Sequence, residues 1–124
     1  MKRDMELVRK IMFRLEEIDG QEPFSSRDIV VQGYDPPTIG YHCSLLRDCG
    51  YILGEDSPVC GGSGGYFEQY ISRLTSTGHD FIDAARSDTV WNKTVSIAKE
   101  KGISLTVDLT MQFLTAIGKS MMGI

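Results

Sequence analysis

Apolar residues recur at three- and four-residue spacing early in the chain. Met5, Val8, Ile11, Met12, Leu15 and Ile18 make one stripe, which predicts a helix over residues 4–19. Asp4 is placed to cap its start and Gly20 to stop it. The opposite face carries Arg9, Lys10, Arg14, Glu16 and Glu17. The next stretch, GQEPFSS, reads as a loop. The β-branched run Ile29, Val30, Val31 then predicts a short strand, although residues 27–32 could instead supply one short helical turn.

Asp35 followed by Pro36 and Pro37 is a helix start, because proline is tolerated in a first turn whose N–H groups have no helical partner. The helix expected over residues 36–49 turns Ile39, Cys43 (or His42), Leu45 and Leu46 inward and ends at Gly50. A strand begins at Tyr51, Ile52 and Leu53, and residues 54–65 read as a turn segment ending in a glycine-rich tip. Residues 66–74 return as a strand with imperfect alternation. Thr75 opens the next helix, with Phe81, Ile82 and Ala85 apolar. Asp88 restarts it, carrying Trp91, Val95 and Ala98 to a stop at Gly102. Ser104 is expected to cap a last helix with Leu105, Leu109, Phe113, Ala116 and Ile117 on one face.

Helix, strand, glycine tip, returning strand and capped helix follow one another in the order of a winged helix, a fold used mainly to read duplex DNA. The expected fold class is therefore mostly α with a small β-hairpin (α+β), a winged helix with a C-terminal helical extension. One domain is expected over residues 1–124, with a core at 1–78 and the extension at 79–124. The extension is not read as separate, because each of its helices alone would leave an apolar face uncovered.

Composition narrows the setting. At 124 residues the chain can bury a core without staples. No apolar run approaches the ~20 residues of a membrane span, and MKRDMELVRK lacks the apolar stretch of a secretory signal. Retention in the cytoplasm is the expectation. Cys43, Cys49 and Cys60 form an odd set without close pairing, which argues against a disulfide framework. A net charge of −4 gives no bulk attraction to nucleic acid, so any DNA contact must come from a local patch.

The stretch TIGYHCSLLRDCGYI resembles the recognition helix and following strand of many winged-helix regulators, and Leu74, Thr75 and Gly78 resemble the L-T-x-x-G that ends their wing. Over nearly its whole length the chain is also similar to an uncharacterised bacterial and phage family of domain-of-unknown-function proteins. The matching residues are MKRDMELVRKI, YHCSLLRDCGYI and RLTSTGHDFIDAARSDTVWNK. The resemblance implies a prokaryotic or prophage origin and brings no activity with it.

In a DNA-reading module the exposed N-terminal part of the 36–49 helix would enter the major groove. Thr38, Tyr41 and Ser44 are the candidate contacts, with Arg47 further along. Charge is the difficulty. Residues 35–49 hold one arginine, Arg47, against Asp35 and Asp48. Residues 51–70 hold Glu55, Asp56 and Glu68 and no Lys or Arg. Good DNA binders make about 6–10 phosphate contacts. The cations of the first 14 positions, Lys2, Arg3, Arg9, Lys10 and Arg14, would have to lie beside the helix. The competing reading is a protein-interaction module, a phage accessory or scaffold protein, that leaves DNA alone.

Other chemistry finds little support. His42, Cys43, Cys49, Cys60 and His79 do not have the spacings that place ligands on one metal. Residues 61–65 lack the Lys and Ser/Thr of a phosphate loop, and no G-x-S-x-G occurs. No enzyme activity, metal or cofactor is expected. The last helix carries Leu114 and Met122 off its main apolar face, which suggests a homodimer through the C-terminal helices.

Overall fold

In the computed structural model, which describes residues 2–18, 23–57 and 68–123, the middle of the first apolar stripe is buried and its ends, Met5 and Ile18, are half-buried. Helix α1 (Met5–Ile18) buries Leu7, Val8, Ile11, Met12 and Leu15. Fully burying each such side chain contributes about 1.5–3 kcal/mol. The Asp4 carboxylate accepts from the amides of Glu6 (3.0 Å) and Leu7 (3.2 Å), satisfying donors that have no helical partner. Gly20, the expected stop, lies outside the described residues.

The elements follow in the order α1, β1 (Phe24–Ser25), a 3₁₀ turn (Ser26–Asp28), α2 (Pro36–Asp48), β2 (Ile52–Asp56), β3 (Gln69–Leu74), α3 (Ser76–Ala85), α4 (Asp88–Glu100) and α5 (Val107–Met121). The protein is thus mostly helical with a small three-stranded antiparallel sheet of order β1-β3-β2, an α+β fold. Two compact units divide the chain, residues 1–79 and 80–124.

In the first unit α1 packs on α2, and α2 packs on the 3₁₀ turn and the sheet. Asp35 caps α2 by accepting from the Thr38 amide at 2.9 Å, with proline next in the first turn. The other end closes in a Schellman turn. Gly50 takes φ +77°, its amide donates to the Arg47 carbonyl, and the Tyr51 amide donates to Leu46, each at 3.0 Å.

The strand expected at Ile29, Val30 and Val31 does not form. The sheet instead takes Phe24 and Ser25, paired with Ile71 and Tyr70. Ile29 and Val31 are buried and Val30 is 70% exposed, so the in-out alternation is real but has no partner strand. Of the short helical turn that residues 27–32 could instead supply, only its start forms, as the 3₁₀ turn Ser26–Asp28. The turn segment expected from residue 54 also starts too early, since Gly54, Glu55 and Asp56 belong to β2. The glycine-rich tip falls outside the described residues.

The uneven alternation of β3 has a simple cause. Leu53 pairs with Arg73 while Gly54 pairs with Ile71, so Ser72 is an extra residue on β3. This bulge returns Leu74 to the inner face, three positions after Ile71 rather than two, and both are buried.

In the second unit Phe81, Ile82 and Ala85 of α3 are buried, as are Val90, Trp91, Thr94 and Ala98 of α4, which packs on α5. The helix restarts at Asp88 as expected, capped by Ser87, and ends in another Schellman turn at Gly102, φ +67°. The last helix differs from expectation in start and in face. Thr106 rather than Ser104 is its cap, accepting from the Leu109 amide at 3.0 Å. Its buried residues are Val107, Thr110 and Leu114, whereas Leu109, Phe113 and Ile117 are half-buried and Ala116 is exposed. Thr110 can be buried because its hydroxyl donates to the Thr106 carbonyl at 2.6 Å.

Candidate nucleic-acid interface

Segment 30–34 runs back alongside α1. Val30, Val31 and Gln32 face Lys10, Phe13 and Arg14 across a groove of about 380 Å³. Nearer the α1 start, the Tyr34 hydroxyl donates to the Asp4 carboxylate at 2.6 Å. α2 begins immediately afterwards, so the cations of α1 flank the approach to that helix. Lys10 and Arg14 are exposed on the groove rim, with Arg14 also paired to Glu17 at 3.0 Å. Arg9 is half-buried, its guanidinium 4.9 Å from the centre of the Phe13 ring, so part of its charge faces an aromatic surface.

The start of α1 is tied directly to α2. The Asp4 amide donates to Nε2 of His42 at 2.9 Å, and Nδ1 of His42 lies 2.9 Å from the Thr38 carbonyl. An amide can only donate and a carbonyl can only accept. The ring is therefore neutral with its proton on Nδ1. His42 is fully buried, with both nitrogens occupied by backbone, which removes it from any metal site. Among the described residues no three His, Cys, Asp or Glu side chains gather as a metal-ligand set.

Partial burial alone would raise the Asp4 carboxyl. The Tyr34 hydroxyl and the Leu7 and Glu6 amides outweigh it and hold the group below its usual value of 3.8. The same hydrogen bond, helped by burial, pushes Tyr34 up to about 12. Asp4 is the hub of this corner: its carboxylate caps α1 and receives Tyr34, and its amide reaches α2.

On α2 itself, Thr38, Tyr41 and Ser44 form a half-buried outer stripe at helical spacing. The Tyr41 ring stands edge-on to His42 at 5.8 Å, and the Ser44 hydroxyl donates to the Tyr41 carbonyl at 2.6 Å. Arg47 is turned to the sheet, where its guanidinium meets Asp56 at 3.3 Å and the Gln69 side-chain oxygen at 3.0 Å. The structure thus groups Arg9, Lys10 and Arg14 along one helix and Thr38, Tyr41 and Ser44 along another, and commits Arg47 to the end of β2 and the start of β3. Cys43 is buried, and burial pushes its thiol up to about 12.

A second polar cluster lies beside the Arg47 contacts, at the start of β3. The buried Glu68 carboxylate pairs with Arg27 at 2.8 Å and accepts from the Ser25 hydroxyl at 2.8 Å. These two contacts join β1, the 3₁₀ turn and β3, a structural task.

Sequence reasoning placed Asp4 as the cap of α1 but missed its links to Tyr34 and His42. The available signal was His42 itself, a polar residue on the inward face of α2 four positions after a threonine whose carbonyl it could bridge.

An α+β protein in which a helix carrying Arg9, Lys10 and Arg14 flanks a capped, half-buried one is what the fold and this corner define. The chain belongs to the DUF2513 family of hypothetical proteins, whose model matches residues 2–104. It is 32% identical over 124 residues to a Haemophilus influenzae (strain ATCC 51907 / DSM 11121 / KW20 / Rd) protein titled "Uncharacterized protein", covering 99% of this chain and 100% of the relative. No solved structure matches it. No helix among the described residues is long and apolar enough to cross a membrane.

Proposed function

We propose that residues 1–79 work as a winged-helix module that binds duplex DNA, non-enzymatic and regulator-like, in the cytoplasm of a bacterial or prophage setting. In this reading the outer stripe of α2 faces the major groove and Arg9, Lys10 and Arg14 neutralise backbone phosphates. The observation that carries it is the course of segment 30–34, which sets Lys10 and Arg14 beside the lead-in to α2. The order of elements in this unit and the β1-β3-β2 sheet support the same assignment, with the 3₁₀ turn in the place of a second helix. The exposed Met121 and Met122 at the end of α5 support pairing of two copies through their C-terminal helices.

A gel shift against random duplex DNA tests the proposal. Binding should weaken steeply between about 50 and 200 mM salt and disappear when Arg9→Glu and Lys10→Glu are combined. Absence of a shift even at low salt would rule it out.

A second reading is favoured by one observation. Val30 stands 70% exposed above the apolar floor of the groove formed by Phe13 and Val31, a surface that suits a protein contact better than a phosphate. Under that reading Val30→Asp abolishes capture of the partner while the double charge reversal only slows it.

A further inference from the structure

We infer that Lys2 and Arg3 grip the same duplex as α2, and that His42 is the positioning residue that holds them there. The inference rests on the DNA-binding reading and adds to it two contacts and the device that orients them.

Both cations are exposed, and neither has an ion-pair partner among the described residues. They precede Asp4, whose position is fixed from three directions. Its amide is held by His42, one carboxylate oxygen by Tyr34, and the other by the first turn of α1. Two residues of extended chain span at most about 7 Å. The backbone of Lys2 and Arg3 is therefore confined to a short radius around the first two turns of α2, where His42 sits.

That placement answers the main objection to α2 as a reading helix. Its own arginine is committed to the sheet, so it needs positive charge supplied from elsewhere. A basic pair anchored beside its start supplies charge without lengthening the helix. Arginine suits the task, because its fork of donors matches two phosphate oxygens, and lysine adds a mobile point charge.

His42 has the properties such an anchor requires. It is fully buried, so its ring cannot swing away, and its Nδ1 contact to Thr38 leaves Nε2 as the acceptor facing Asp4. The group that positions the cations thus belongs to the helix they assist.

The test measures affinity for random duplex DNA as a function of salt in the full chain. Each phosphate contact contributes about 0.9 to the slope of log affinity against log salt. Lys2→Ala with Arg3→Ala should lower that slope by about two contacts while leaving the circular dichroism spectrum unchanged. His42→Leu should lower it by a similar amount with both cations still present. His42→Gln, whose amide oxygen can accept from Asp4, should restore it.

If the wild type binds and the double alanine variant keeps its slope, the inference is overturned and the DNA reading stands. Loss of affinity in His42→Leu at unchanged slope would overturn the positioning role. If the wild type does not bind, both fall together. Should His42→Leu fail to fold, a glycine inserted between Arg3 and Asp4 leaves the buried contacts intact and should still reduce affinity; unchanged affinity there overturns the positioning role as well.

Discussion

Gly54 faces the backbone of Tyr70 so closely that a methyl group on its α-carbon would overlap the Tyr70 carbonyl oxygen. The bulge at Ser72 brings the two strands together at this point. Gly54→Ala should therefore cost about 1–3 kcal/mol, in the range of other forced overpacking. Urea unfolding would show it as a lower midpoint at unchanged slope, and an unchanged midpoint would mean that the strands can separate locally.

The corner built on Asp4 gives a graded series. Tyr34→Phe deletes one hydroxyl and should cost about 1 kcal/mol, because the pair is only partly buried. His42→Leu leaves the Asp4 amide without its acceptor and should cost about 1–3 kcal/mol. The two residues share Asp4, so the double variant should lose less than the sum of the singles. Strict additivity in denaturant midpoints would contradict a shared network.

Acid should weaken the fold through identifiable groups. Asp4, Asp35 and Glu68 all have carboxyls held low. For Asp4 the cause is the balance already described, and for Asp35 it is hydrogen bonding to Thr38. Glu68 is held low by hydrogen bonds from Ser57 and Ser25, against a smaller opposing effect of burial and with help from Arg27. Each binds its proton less readily in the folded chain than in the unfolded one. Their contribution is complete above the ordinary values of 3.8 and 4.5 and is lost as pH falls below them. Tyr34 behaves oppositely: its contribution is full below the ordinary value of 10 and is lost as pH rises towards 12. Urea midpoints followed with pH should fall on both limbs, and Tyr34→Phe should reduce the slope of the alkaline one.

Cys43 and Cys49 should separate cleanly in a thiol-labelling experiment. Cys49 is exposed at the end of α2, while the Cys43 thiol is buried and pushed up to about 12. Iodoacetamide at neutral pH followed by peptide mapping should mark Cys49 in the native protein and Cys43 only after unfolding. Native modification of Cys43 would mean that α2 opens far more often than its packing implies.

Much of the helical framework is legible in the residues alone. Asp35 with two prolines, Gly50, and the α1 stripe each place an element or its end, because caps and periodicity act locally. The misreadings concern which element a stretch finally touches. Ile29, Val30 and Val31 carry a strand pattern and adopt its in-out alternation, yet the open edge of β3 is taken by Phe24 and Ser25. No local rule identifies which of two neighbouring stretches wins an edge. The face of α5 went wrong because its buried threonine looks polar on paper. Thr110 satisfies its own hydroxyl within the helix, so burial costs it little, and the stripe through Leu109 and Phe113 stays half-open. At the candidate interface the cations are legible and their arrangement is not. Nothing in residue spacing shows that Tyr34 and His42 meet at Asp4, since those contacts span 30 and 38 positions.

The hydroxyl of Thr75 donates to the Gly50 carbonyl at 2.5 Å and accepts from the Gly78 amide at 3.0 Å, while its own amide donates to Tyr51. One side chain therefore belongs to the end of α2 and to the beginning of α3. Fraying of either terminus must break the same pair of bonds. The amides of Tyr51, Thr75 and Gly78 should then take up deuterium at a common rate, as one cooperative opening unit, although Gly50 and Thr75 are 25 positions apart. Thr75→Val would split that unit into two clocks.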